Sequence, residues 1–170
     1  MEHTDYFSFF GLKPSLVLDE KELRALYMHN VKAFHPDFYI ADPQLYSANL
    51  KKSSFNNDAY KVLSNLMSRT AYFLELKGLY NPEQQTQLPP DFLMEVMELN
   101  EQLDEIMSSQ NAQERSQFMS GIQQSIQEIQ QELIHIGTQI NENESPELLN
   151  EALTLFQKLK YFQNLLLRSQ

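Results

Sequence analysis

A chain of 170 residues with a net charge of −10 can hold one or two small domains, each with a real core. The absence of cysteine excludes disulfides, cysteine zinc sites, thiol nucleophiles and cysteine-ligated clusters within these residues. Up to Gly78 the chain carries nine Lys/Arg and nine Asp/Glu, and from Leu79 onward four and fourteen, which argues for two domains with different partners and against nucleic acid as partner of the second.

The opening Met1-Glu2-His3-Thr4-Asp5 has no basic region followed by an apolar run and is not Arg-rich. It matches neither a secretory signal nor a transit peptide, no apolar stretch is long enough to span a membrane, and a cytoplasmic protein is expected. Tyr6-Phe7 and Phe10-Gly11-Leu12 read as a short first helix, followed by a loop with Lys13-Pro14. Asp19 through Phe34 reads as an amphipathic helix. Asp19 can cap it, Glu22 stands three residues on, and Leu23, Tyr27, Val31 and Phe34 share one face. Its outer face carries Lys21, Arg24, His29 and Lys32, either as a solvated face or as a docking surface for an acidic partner.

Pro36 ends this helix, because its ring disfavours the helical conformation of the preceding residue. The outcome is a corner, Phe34-His35-Pro36-Asp37-Phe38, that sets an imidazole and a carboxylate at the solvent end of a helix. Such groups can pair with a partner's arginine or backbone; an ordinary loop with a proline stop is the plainer reading of the tripeptide alone. A third helix, from Asp42-Pro43 toward Leu66, takes Leu50, Phe55, Ala59, Val62, Leu63 and Leu66 as its apolar positions and includes Asn56-Asn57-Asp58-Ala59-Tyr60-Lys61-Val62-Leu63. In this order and spacing, residues 5 to 77 resemble a J-domain. That resemblance implies a module that docks on heat-shock ATPase chaperones of the DnaK class through His35, Pro36 and Asp37, with Lys32, Arg24 and His29 beside them.

Arg69-Thr70-Ala71-Tyr72-Phe73-Leu74-Glu75-Leu76-Lys77-Gly78 follows as a short helix with Gly78 as its C-cap. The pattern Arg-x-x-Tyr-x-Leu-x-Leu-x-Gly resembles the HscB (Jac-type) J-domain co-chaperones of iron–sulfur cluster assembly. Residues 79 to 90, with Asn81-Pro82, a Gln-rich run and Pro89-Pro90, read as a linker between a first domain, 1 to 78, and a second, 91 to 170. In the second, helices are predicted over Asp91 to about Met107, about Ala112 to Ile140, and Pro146 to about Leu167, with Ser145 as the last N-cap. The fold class expected is all-α: an N-terminal J-domain helical hairpin and a C-terminal three-helix bundle.

At 100° per residue, Phe92, Val96, Leu99, Leu103 and Ile106 fall within about 40° of one direction, a complete core seam. Leu93, Met94, Met97, Glu98, Glu101 and Glu105 lie at roughly 100° to 240° from it. Apolar residues rimmed by acid on an outward face mark a partner site; burial of both faces is the other reading. On the last helix Leu148, Ala152, Leu155, Leu159, Phe162 and Leu166 gather on one side, and Tyr161 points roughly 150° away.

The stretch from Phe92 to Ile106 is also where the HscB resemblance is closest, and with it the resemblance covers nearly the whole chain. It implies that Leu93, Met94, Met97, Glu98, Glu101 and Glu105, with Tyr161 as the family's aromatic, bind an IscU-type iron–sulfur scaffold. Phe38 departs from the lysine usual in J-domains, and the preceding helix is only lightly basic, which fits a dedicated chaperone of the HscA type. The Cys-rich zinc module of some eukaryotic relatives is absent, as in bacterial-type members. No cofactor is implied. Glu132-x-x-His135 has di-iron ligand spacing but lacks the second such pair that these sites need. No nucleophile motif or Gly-rich phosphate loop occurs, so nothing reads as catalytic. A helical adaptor without chaperone activity is the alternative function.

Overall fold

The computed structural model describes residues 5–84, 88–109 and 111–169. His3 and the other opening residues lie outside these, as do Gln85, Thr86 and Gln87 of the predicted linker. Seven α-helices and no strand occur among the described residues: α1 Tyr6–Phe9, α2 Glu20–Ala33, α3 Pro43–Leu63, α4 Leu66–Leu76, α5 Leu93–Ser109, α6 Ala112–Glu142 and α7 Pro146–Arg168. The fold is all-α, and among the described residues no helix is long and apolar enough to cross a membrane. The chain forms two compact units that divide at Phe73/Leu74, inside α4 and before Gly78.

Local chemistry sets the ends of most helices. Asp19, Asp42, Asn111 and Ser145 each accept hydrogen bonds from the free N–H groups of the first turn, and Pro43 and Pro146 occupy positions with no donor to lose. Gly11 and Gly78 both adopt φ 71°, which only glycine enters without strain. Behind each, two backbone bonds close the helix: Gly11 N–H to Ser8 and Leu12 N–H to Phe7, then Gly78 N–H to Glu75 and Leu79 N–H to Leu74.

In the first unit, α2 and α3 pair, and α1 packs on α3. Phe7, Phe10, Leu23, Ala59 and Leu63 form the buried cluster, with Tyr27, Tyr60 and Tyr72 at its edge. The third helix ends at Leu63 rather than near Leu66, and Leu66 opens α4 instead. Leu50, predicted as apolar packing, is exposed. Asn49 takes the buried side and returns its amide to the Leu45 carbonyl, while Asn56 is buried and donates to the Tyr27 carbonyl. A buried guanidinium joins the elements: Arg69 Nε donates to the Leu16 carbonyl at 2.9 Å and Nη1 to that of Leu63. Burial lowers the Arg69 pKa, against the opposing pull of Glu20.

In the second unit, α6 and α7 form a long antiparallel hairpin, tied at one end by Arg115 Nε donating to the Ser169 carbonyl at 2.7 Å. Ile122, Ile129, Leu133, Ile136 and Ile140 of α6 meet Ala152, Leu155, Phe156, Leu159 and Phe162 of α7 as its buried core. The third member, α5, lies against this hairpin through Leu103 and through Phe92, the last residue of the 3₁₀ turn Pro90–Phe92 that leads into it. Leu79 and Tyr80, assigned to the linker, are partly buried; the Tyr80 ring packs edge-on against Phe156 at 5.0 Å, and Lys160 Nζ reaches its hydroxyl. Within the same segment Asn81, Pro82, Glu83 and Gln84 are exposed, and Leu88 and Pro89 are again partly buried.

Candidate functional site

The first candidate site is the corner after α2. Pro36–Tyr39 forms a single 3₁₀ turn, held by the Phe38 N–H on the His35 carbonyl and by the Tyr39 hydroxyl on the Ala33 carbonyl at 3.1 Å. This pins the backbone and leaves its polar groups outward: the side chains of His35 and Asp37 are 47% and 73% exposed. His35 Nδ1 accepts from the Asp37 N–H at 3.4 Å, which requires that nitrogen bare, and stands 3.8 Å from the Asp37 carboxylate. Both contacts are long, so neither group is consumed within the turn. Lys21, Arg24, His29 and Lys32 are exposed along the outer face of α2, on the side away from buried Leu23.

The second lies on α5. Phe92 and Leu103 are buried and Val96, Leu99 and Ile106 partly so, whereas Leu93 is 47%, Met97 64% and Met94 74% exposed. Glu98, Glu101 and Glu105 are exposed on the same outward arc. A helix that has filled its seam thus carries an apolar ridge with acid along it.

Tyr161, about 150° from the apolar side of α7, is partly buried against α5. Its ring meets Phe92 edge-on at 5.4 Å, its hydroxyl donates to the Val96 carbonyl at 3.2 Å, and the Asn100 amide donates to that hydroxyl at 2.9 Å. The cause is that α7 has two occupied sides. One faces α6, and the side bearing Tyr161, Leu165 and Arg168 receives α5, with Arg168 donating to Asn100 at 2.9 Å. On α5, Asn100 falls about 20° from Leu93 and 60° from Met97, so Tyr161 borders the apolar ridge. Burial pushes the Tyr161 hydroxyl above the usual tyrosine range, partly opposed by Arg168 and Asn100 and reinforced by Glu95.

Phe156 and Leu165, both buried, and the polar link through Asn100 to Arg168 went unidentified in the sequence. Leu165 alone carried a signal, since its apolar side chain stands on the same side as Tyr161. His135 is exposed beside Gln139, and no cluster of metal-binding side chains occurs among the described residues.

Residues 88–168 match the family model described as the HSCB C-terminal oligomerisation domain. A co-chaperone protein HscB homologue of Vibrio vulnificus is 41% identical over 111 residues, which are 64% of this chain and 65% of that relative, so this match spans just under two thirds of its length. Those of Haemophilus ducreyi and Pseudoalteromonas atlantica are 32% and 33% identical, covering 90% and 92% of this chain and 90% and 89% of theirs. Human co-chaperone HscB superposes with a TM-score of 0.77 at 28% identity, over 96% of this chain and 79% of that one. Chaperone HscB from Vibrio cholerae gives 0.71 at 26%, over 98% and 95%. The all-α architecture, the His-Pro-Asp corner and these matches along the chain lead to one assignment: the chain belongs to the HscB co-chaperone family.

Proposed function

We propose that the chain is a bridging co-chaperone of iron–sulfur cluster assembly. Its second unit holds an IscU-type scaffold on the outward face of α5, and its first unit presents that cargo to an HscA/DnaK-class chaperone and stimulates the chaperone's ATPase. The observation that carries this reading is the outward face of α5. Leu93, Met94 and Met97 stand exposed beside Glu98, Glu101 and Glu105 on a helix whose core seam is already filled. Packing within the chain gives these side chains no reason to be apolar, and an interface does.

In the first unit, a 3₁₀ turn with its backbone tied down offers His35 and Asp37 to a partner, beside Arg24, His29 and Lys32. The chain itself performs no chemistry in this scheme. Its effect on turnover comes from binding one conformation of the chaperone better than another. The alternative, a helical adaptor without chaperone activity, has no use for such a corner.

Steady-state ATPase turnover of an HscA-class chaperone tests the reading. The chain alone raises turnover, scaffold and chain together raise it further, and Asp37→Asn abolishes the effect of both. Turnover that ignores the chain, or that responds equally to Asp37→Asn, contradicts it.

A further inference from the structure

The same corner carries a feature that His35 and Asp37 do not explain. Phe38 is 73% exposed and Ile40 67%, and Leu45 at the start of α3 is 49% exposed. Fraying is not the cause. The turn is closed on both sides of Phe38, by its own N–H on the His35 carbonyl and by the Asp42 N–H on the Tyr39 carbonyl, and Tyr39 is anchored to Ala33. A tightly held backbone therefore displays a phenylalanine and an isoleucine to water, and exposed apolar groups of this size in one short segment mark an interaction surface.

We propose that Phe38, backed by Ile40 and Leu45, is an apolar anchor continuous with the docking corner, which fits an apolar pocket on the ATPase chaperone beside the place where His35 and Asp37 bind. This rests on the proposed function and adds a partner-selecting contact to it. Continuity is given by the rings of Phe38 and His35, whose centres are 5.5 Å apart, so a partner engaging one meets the other. Charge selects the occupant. Lys32, Lys51 and Lys52 are exposed near the same end of the α2–α3 hairpin, and Lys52 Nζ lies 5.3 Å from the Phe34 ring centre. A second copy docking lysine face to lysine face would oppose these cations to their like, whereas a partner with acid facing the lysines, a cation facing exposed Asp37 and an apolar pocket between them satisfies every part of the corner.

The experiment titrates the full-length chain into an HscA-class chaperone and reads ATPase turnover. Phe38→Ala raises the concentration for half-maximal stimulation by about 10- to 100-fold, as loss of an interface anchor does, and leaves turnover at saturation unchanged. Phe38→Leu retains most of the apparent affinity, and neither variant shifts the melt, because the side chain is exposed. A Phe38→Ala titration that overlays wild type, while Asp37→Asn still abolishes stimulation, overturns the anchor and leaves the proposed function standing. Absence of stimulation by wild type removes both. Sedimentation of wild type and Phe38→Ala closes the remaining route: self-association that the substitution abolishes assigns the patch to a second copy and overturns the proposal.

Discussion

The Asn100 amide donates to the Tyr161 hydroxyl across 2.9 Å, joining the middle of α5 to the second half of α7. This bond explains how an aromatic ring lies beside the apolar ridge of α5 without being free. The hydroxyl is fixed by Asn100 and Val96, Asn100 is held in turn by Arg168, and the ring stacks edge-on against Phe92.

Tyr161→Phe removes the hydroxyl and leaves the ring, and at neutral pH it costs about 1 kcal/mol, the net value of a partly buried hydrogen bond. The pH dependence has a definite sign. Burial raises the folded-state pKa of Tyr161, so its contribution is fully present below the unfolded value near pH 10 and is lost as pH climbs through the folded value. Urea melts across the alkaline range therefore show wild type losing stability more steeply than Tyr161→Phe. The two proteins differ in nothing but this hydroxyl, so the difference isolates Tyr161. Identical slopes would contradict the buried-hydroxyl account.

Arg69 offers a test of the first unit. Its guanidinium satisfies two backbone carbonyls, one in the loop before α2 and one at the end of α3. Arg69→Met fills similar space but leaves both acceptors without their donors, a loss of about 2–4 kcal/mol. Denaturant unfolding measures it. A change below about 0.5 kcal/mol would show that water replaces the guanidinium freely.

Much of the fold is legible in the chain because its helix ends are written in local chemistry. Asp19, Asp42 and Ser145 cap where their side chains predict, and Gly78 closes α4 with a positive φ. The seam of α5 is legible too, since a single helix packing on one side obeys one periodicity. What stays hidden depends on who the neighbours are. Asn49 and Asn56 are buried because nearby carbonyls accept their amides, which periodicity cannot foresee. Tyr161 is enclosed because α7 has neighbours on two sides, and Tyr80 reads as linker until Phe156 is seen beneath it. The outward polar corner and the acidic ridge are legible as types of residue.

The α5 ridge gives the sharpest separation of stability from binding. Leu93, Met94 and Met97 are exposed, so the triple alanine variant melts within about 1 kcal/mol of wild type, where buried truncations cost about 2–5 kcal/mol each. Calorimetric titration against an IscU-type scaffold shows binding weakened by about 10²- to 10⁴-fold, as expected if each anchor contributes about 1–2 kcal/mol. Glutamine at positions 98, 101 and 105 instead slows association and flattens its salt dependence. A large drop in melting temperature for the triple variant, or unaltered binding, contradicts the partner-site reading.

The central claim is that one chain must hold scaffold and chaperone at the same time, and a mixing experiment tests it most directly. Asp37→Asn disables the chaperone-docking corner, and the triple alanine variant of α5 disables scaffold capture. ATPase turnover of an HscA-class chaperone is measured with scaffold and either wild type, each variant, or an equimolar mixture of the two. If the two sites act in cis, wild type gives the scaffold-dependent increase and the mixture gives no more than the triple variant alone. A mixture that restores the wild-type increase would contradict the bridging account, because two separate molecules would then do the work assigned to one.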